Sequence, residues 1–497
     1  MVSVAQEFRK QLLRGNAFVD TFMETDKSSG RRLKLLVTIG CFGGKNLDFL
    51  AELIRIYKAM PMDVDVVVIS EALRDYGPDV ETVYESPETD PWFVPFGHKR
   101  VLAERVEDYD LFIYSEDDML ASERNIQAFL DLSPLLAPDE VAGFLRYEID
   151  RAGNWSFPEV HKSFHWKPET VRRRGTHLVA EFSCEHAAFY LLTQAQLKQC
   201  ISRGRYLLPP APHRYDFLCT GATDPYTLSG FRKVIGISSL TDFSIHHLPN
   251  RYVGKLGVSL PYLERQVKTM GEIASGTRAA ESLCQVETQF PNLGWSKSYY
   301  EVPNENLIRL LPEGARSLLS IGCGWGALEE ELQKKGMEVT ALPLDTIIGA
   351  SAAERGIRIV YGSFDEGLRN LGTQTFDCVV VPDLLHLQEN LDHWLVELAR
   401  RVGPHGSLVA SGPNFGRLPW RLLRILGVGD FKLLKSFASS GINISGPLVI
   451  ATSLRRAGLN VETLAWFDHK IESKRFRGSE IPLGRFTARN WIIHMKR

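Results

Sequence analysis

The run Leu318-Leu319-Ser320-Ile321-Gly322-Cys323-Gly324-Trp325-Gly326-Ala327-Leu328-Glu329-Glu330-Glu331-Leu332 constrains this chain more than any other stretch. A short apolar strand enters three glycines at alternate positions and leaves in a helix. Glycine lets the backbone turn tightly and approach a ligand with no Cβ in the way. The helix start that follows offers unpaired N–H groups. Together they form the strand–loop–helix by which open α/β sheets hold a nucleotide-like cofactor at the carboxyl end of a strand. The run sits well past the middle of a 497-residue chain, so the residues before it require at least one further domain.

The balance of residue types excludes several function classes. A hydrophobic content of 44% with 24% charged residues is that of globular protein. The formal net charge of −2 gives no global basic field, so no nucleic-acid partner is expected. Cys41, Cys184, Cys200, Cys219, Cys284, Cys323 and Cys378 are scattered, odd in number and form no C-x-x-C pair. This pattern predicts reduced, mostly buried thiols in a cytoplasmic compartment. No signal peptide is read at Met1–Lys10, and no apolar run is long enough to span a bilayer.

The order of elements predicts an α/β chain with two sheets. Leu33–Ile39, Asp65–Ser70 and Leu111–Tyr114 read as strands, with helices over Asn46–Met60 and Lys99–Glu107. Continuous apolar strands alternating with helices argue a mostly parallel sheet covered on both faces. A second series begins at Ser317, with strands at Leu318–Ile321, Glu338–Leu342, Arg358–Tyr361, Phe376–Val381 and Leu408–Ser411. The expected division is an extension over 1–30, a first domain over 31–270, a linker over 271–303 and a second domain over 304–497.

In the second domain, strand, Gly-x-Gly-x-Gly and helix are followed by Phe376-Asp377-Cys378-Val379-Val380-Val381-Pro382-Asp383-Leu384-Leu385-His386 and by Gly403-Pro404-His405-Gly406-Ser407-Leu408-Val409-Ala410-Ser411. This ordered set resembles the class I S-adenosylmethionine-dependent methyltransferases, which implies a Rossmann-like sheet with S-adenosyl-L-methionine as cofactor. The resemblance implies that Gly322, Gly324 and Gly326 line its methionine and ribose part and that Pro382–His386, Asp383 included, passes beside it. In that family a carboxylate usually ends the second strand and takes the ribose hydroxyls. Here Pro343 stands in that place. Asp345, two positions on and on the same side of an extended chain, either substitutes for it or caps the following helix. His386 is the candidate base for a hydroxyl acceptor. His393 and His405 read as surface or turn residues.

In the first domain, Asp110-Leu111-Phe112-Ile113-Tyr114-Ser115-Glu116-Asp117-Asp118 sets three carboxylates at the end of an apolar strand. Like charges so placed are costly unless a cation neutralises them, and oxygen ligands suit Mg²⁺ or Mn²⁺. His246 and His247 end a late strand, and Lys99 and Arg100 offer cations for a diphosphate. These features resemble a GT-A glycosyltransferase over about residues 31–255, which implies a mixed, mostly parallel sheet and a nucleotide-sugar donor. By that resemblance Glu116 and Asp118 fall on the metal-binding motif with Asp117 between them. Either His246 or His247 completes the metal shell, and Thr38 and Gly40 face the nucleotide. Glu148, Glu185 and Asp224 are the candidate general bases, Asp224 being equally a turn residue. Arg172-Arg173-Arg174 reads as a solvated patch.

Phe415–Phe437 is basic and amphipathic, carrying Arg417, Arg421, Arg424, Lys432 and Lys435 among leucines and Trp420. It fits an ordinary insertion, a lid, or peripheral contact with the inner face of a membrane. The combined expectation is a bifunctional enzyme of polysaccharide biosynthesis. It would transfer a sugar to a glycan or glycolipid acceptor with manganese or magnesium, and methylate a glycan hydroxyl. Two alternatives stay open: a methyltransferase of protein, RNA or a small molecule with a non-catalytic N-terminal module, or a glycosyltransferase on a degenerate methyltransferase-like scaffold.

Overall fold

The structure is a computed structural model that describes residues 31–86, 91–158, 160, 163–209, 215–255, 257–290, 295–427, 431, 434–467 and 488–497. The extension expected over 1–30 therefore lies outside the described residues, as do Pro291-Asn292 of the expected linker and Lys432 of the basic stretch.

The first series of elements is β1 (Lys34–Cys41), α1 (Leu47–Lys58), β2 (Asp63–Ser70), β3 (Val80–Tyr84), α2 (Gly97–Glu104), β4 (Leu111–Glu116), β5 (Met119–Leu120), β6 (Leu145–Ile149), β7 (Phe189–Thr193), α3 (Phe217–Thr227), β8 (Ser244–His247) and α4 (Leu260–Ala274). The main sheet runs β7-β4-β1-β2-β3, parallel except for β7. It is thus mixed and mostly parallel, as the sequence led us to expect. The cause is legible in β1 and β2, whose apolar residues are buried without alternation because helices and loops cover both faces. Helix α1 buries Leu50, Leu53, Ile54 and Tyr57, one stripe at helical spacing. A second sheet joins β6, β8 and β5, with β8 parallel to β6 and antiparallel to β5. That pairing carries the late histidines to the end of β4.

The second series is β9 (Ser317–Cys323), α5 (Ala327–Lys334), β10 (Glu338–Pro343), α6 (Thr346–Ala353), β11 (Arg358–Ile359), β12 (Phe376–Val381), β13 (Val402–Pro413), α7 (Leu418–Leu426), β14 (Asn460–Phe467) and β15 (Asn490–Lys496). Its seven strands run β11-β10-β9-β12-β13-β15-β14, with only β15 antiparallel to its neighbours. Strand order reverses direction at β9, between β10 and β12. The crevice outside its carboxyl end is where ligands bind in open α/β sheets. Strands β14 and β15 escaped the sequence reading, since β14 is only half-buried and a stretch outside the described residues separates the pair.

The expected linker boundary after residue 270 falls inside α4. That helix continues to Ala274 and sets Tyr262 edge-on to Trp325 of the glycine loop, with ring centroids 5.9 Å apart. The two sheets therefore meet through a packed helix.

Candidate functional site

At the carboxyl end of β4, Asp118 is buried and its Oδ2 lies 3.5 Å from Nε2 of His247. The same oxygen accepts from Asn46 Nδ2 at 3.2 Å and from Arg251 at 3.4 Å. Strand alternation separates the two histidines that the sequence left undecided. His247 faces the carboxylates. His246 turns away, stacks on Tyr147 at 5.0 Å and meets the Asn250 side-chain oxygen at 3.0 Å. Burial lowers the His246 pKa to about 4. Glu148, a candidate base, is fully buried and holds Nδ1 of His247 at 2.5 Å, while its other oxygen accepts the Tyr252 N–H. Burial would raise its pKa, but those bonds outweigh burial and hold it below the ordinary value. Glu148 thus orients a histidine, with each of its two oxygens engaged by a donor. Burial would lower the His247 pKa, but the Asp118 and Glu148 bonds prevail and raise it.

Glu116 departs most from an ordinary carboxylate. Burial, then repulsion from Asp118, pushes its pKa well above the usual range, and its Oε1 is buried with no hydrogen-bond partner among the described residues. Asp117 is raised to about 6 by burial, although Asn46 bonds its Oδ1 at 2.7 Å. Among the described residues no three His, Cys, Asp or Glu side chains converge to hold an ion by themselves. An ion here would rest on Asp118 and His247 and draw its remaining oxygens from a ligand.

The other residues singled out in the first domain spread apart. Thr38 is buried and spends its hydroxyl on the Ile113 carbonyl of β4. Gly40 lies in β1, where an added Cβ would come 3.0 Å from Pro95. Lys99 is buried, bonds the Leu208 carbonyl at 2.5 Å, and burial lowers its pKa to about 8. Arg100 is a surface ion-pair partner of Glu85. Asp224 lies within α3, not in a turn: Pro225 fits inside that helix, which is why the Gly/Pro context misled. The Glu185 backbone is tied to Tyr215, Tyr226 and Lys233. Arg172 and Arg174 are not a free solvated patch, because both turn onto buried Glu140. Asn46, Arg146, Arg251 and Tyr252 join the site unannounced. They arrive from a loop, a neighbouring strand and a turn that carry no recognisable spacing.

At the carboxyl ends of β9 and β10 the glycine loop has the expected shape. Gly326 at φ +87° lets the chain enter α5 in a left-handed conformation. Gly324 serves close approach instead. A Cβ there would meet the Tyr299 carbonyl oxygen at 2.3 Å, and that carbonyl accepts the Trp325 N–H at 2.9 Å. Residues 281–290 and 295–301 occupy the crevice along its length. Leu283 donates to the Leu344 carbonyl, and the Leu283 carbonyl accepts from the Phe364 N–H, at 2.9 and 3.0 Å. Ser282 bridges Asp345. Lys297, fully buried, bonds the Pro382 carbonyl at 2.8 Å and Glu301 at 2.6 Å.

Of the two roles open to Asp345, the structure displays the cap. Its Oδ1 accepts the Ile348 N–H of α6 at 2.8 Å, and the Tyr299 side chain bonds it as well. Burial raises its pKa to about 7. Asp383, at φ +48°, accepts from the Ser411 hydroxyl at 3.0 Å. His386 is buried with Nε2 on the Trp295 carbonyl at 2.6 Å, and burial lowers its pKa to about 4. His393 sits on the surface against Asp365. The Tyr299 carbonyl, the Ser282 backbone and the Lys297 ammonium lie against Gly324, Asp345 and the Pro382 carbonyl respectively.

Residues 303–435 match a family model described as "Methionine biosynthesis protein MetW". Two curated Rickettsia bellii proteins, both called "Ubiquinone biosynthesis O-methyltransferase", are 30% identical over 103 residues, which is 20% of this chain. The chain spans only 42% of the length of these relatives. Solved structures that align include an S-adenosylmethionine-dependent methyltransferase from Mesorhizobium loti, at 17% identity over 39% of this chain and 96% of that one, TM-score 0.30. N-methyltransferase NodS from Bradyrhizobium japonicum, in complex with S-adenosyl-L-homocysteine, aligns at 17% identity over 39% and 84%, TM-score 0.27. The family match lies on β9 to α7, and with the sheet order it gives the C-terminal part a class I methyltransferase fold. Nothing in these matches touches the GT-A resemblance of the first domain.

Proposed function

We propose that the C-terminal domain is an S-adenosylmethionine-dependent methyltransferase whose cofactor crevice is held closed by residues 281–290 and 295–301. The observation that carries this reading is the family match over 303–435, which includes the strand, Gly322, Gly324, Gly326 and α5. The name of the curated relatives favours a hydroxyl acceptor. No base is assigned, because the Nε2 of His386 is spent on a backbone carbonyl and its free Nδ1 is buried. Calorimetry with S-adenosylhomocysteine tests the reading. Binding to the full chain, or to a Lys297→Ala variant in which the crevice is loosened, supports it. No heat from either at millimolar ligand leaves the C-terminal domain as a scaffold.

The N-terminal domain carries a second reading, metal-dependent transfer from a nucleotide sugar. Asp118 and His247 face each other at a strand end, Glu148 fixes the far nitrogen of the histidine, and the orphaned Glu116 oxygen lies beside them. Carboxylate–histidine pairs of this kind orient metal ligands. A divalent ion bound there would supply positive charge for a diphosphate leaving group. Manganese-dependent binding of UDP- or GDP-sugars is the expected result. Failure of every sugar nucleotide to bind reduces the domain to a binding module for the acceptor.

A further inference from the structure

Helix α7 presents its apolar side to solvent. It buries none of its residues fully, and Leu418, Leu422, Ile425 and Leu426 are 52%, 50%, 72% and 71% exposed. At 3.6 residues per turn these four fall within about 100° of arc. Trp420 lies on the opposite side and docks the helix to the body, edge-on to Trp295 with centroids 5.1 Å apart. The helix is therefore docked through Trp420 and turned apolar face outward, the reverse of a surface helix serving a core.

The charges on the same helix choose an occupant for that face. Arg417, Arg421 and Arg424 lie along one flank of the apolar arc, and no Asp or Glu occurs from Phe415 to Gly427. A second copy of the helix would bring arginines against arginines with no carboxylate to relieve them. An anionic surface complements them, and one that also dissolves leucine side chains is a lipid bilayer. The chain's net charge of −2 provides no general attraction to such a surface, so the patch must act locally. Among the described residues no helix is long and apolar enough to cross a membrane, so the contact lies in the plane of the interface. We propose that α7 is an interfacial helix that seats Leu418, Leu422, Ile425 and Leu426 among the acyl chains of an anionic bilayer, with its arginines at the headgroups.

The test is co-sedimentation of the full chain with vesicles of phosphatidylcholine alone and with phosphatidylglycerol added. Binding is expected only to the anionic vesicles and should weaken as salt rises. The double variant Ile425→Glu/Leu426→Glu should lose binding roughly tenfold or more, and Arg421→Glu should lose less. Both leave the fold unchanged, as their exposure requires, and an unaltered melting temperature checks this. Four results overturn the proposal: no binding to either vesicle, equal binding to both, undiminished binding by the double variant, or a concentration-dependent dimer that the double variant abolishes.

Discussion

The two sheets end in sites that differ in what faces them. At the end of β4 a cluster of carboxyl groups is assembled and left with an unpartnered buried oxygen on Glu116, whose ionisation burial opposes, so hydrogen-bonding capacity stays unsatisfied. At the ends of β9 and β10 several polar groups are spent. Asp345 caps α6, the Phe364 and Trp325 N–H groups are bonded, and a buried ammonium sits on the Pro382 carbonyl. A buried polar group without a partner is costly, and a satisfied one gives a ligand nothing to gain. On the functions proposed above, the first site would receive a ligand as it stands, and the second would first release part of its own chain.

The sharpest way to break this contrast is at Asp118. Asp118→Ala should abolish manganese-dependent sugar-nucleotide binding, by about a hundredfold or more, while leaving binding of S-adenosylhomocysteine untouched. Loss of both in calorimetry would mean that the two ends are not independent. Glu148→Gln should cost less, about tenfold to a hundredfold in metal affinity, because it removes the partner that orients His247 rather than a ligand. A titration of manganese reads the difference.

The second site responds in the opposite sense. Lys297→Ala removes the ammonium that ties residues 295–301 to β12 and frees the Pro382 carbonyl. It should tighten S-adenosylhomocysteine binding by roughly tenfold, the closed population acting as a tax on apparent affinity. Unchanged affinity would show that residues 281–290 and 295–301 do not compete with the cofactor. Gly324→Ala probes the same contact from the loop side. The added Cβ would meet a backbone carbonyl at 2.3 Å, and no flexible side chain is there to yield. A loss of about 1–3 kcal/mol of stability is expected, read as a fall in melting temperature. An unperturbed melting curve would put Tyr299 elsewhere.

The sequence made some of this readable and concealed the rest. Strand ends and their chemistry were accessible because β1, β2, β4, β9 and β12 are continuous apolar runs that stop at glycine, proline or carboxylates. The choice between His246 and His247 was not, since it depends on which face of β8 meets β4 and hence on a pairing with residues far away in sequence. The role of Glu148 was hidden for the same reason, its partner lying 99 positions away. Residues 271–303 read as a linker because they are irregular and rich in loop formers. Only the folded chain reveals that Leu283, Lys297 and Tyr299 bond three separate strand ends. Pro343 was the one early sign, a missing acid where a ribose would need one.

The smallest effect, and the most specific to the closed crevice, concerns pH. Burial holds the Asp345 carboxyl at a pKa of about 7 in the folded chain, well above the roughly 3.9 of an unfolded aspartate. The native state therefore binds a proton that the unfolded state has released between those two values. Stability must fall as pH rises through that window and level off above about 7. Asp345→Asn removes the titrating group while keeping an oxygen to cap α6, so its melting temperature should vary less between pH 4 and 7 than that of the wild type. Opening the crevice would hydrate the carboxyl and lower its pKa. Saturating S-adenosylhomocysteine should then flatten the wild-type profile toward that of the variant. A profile that keeps its slope with the ligand bound would mean that the cofactor binds without displacing Tyr299 and its neighbours, and the contrast between the two strand ends would collapse.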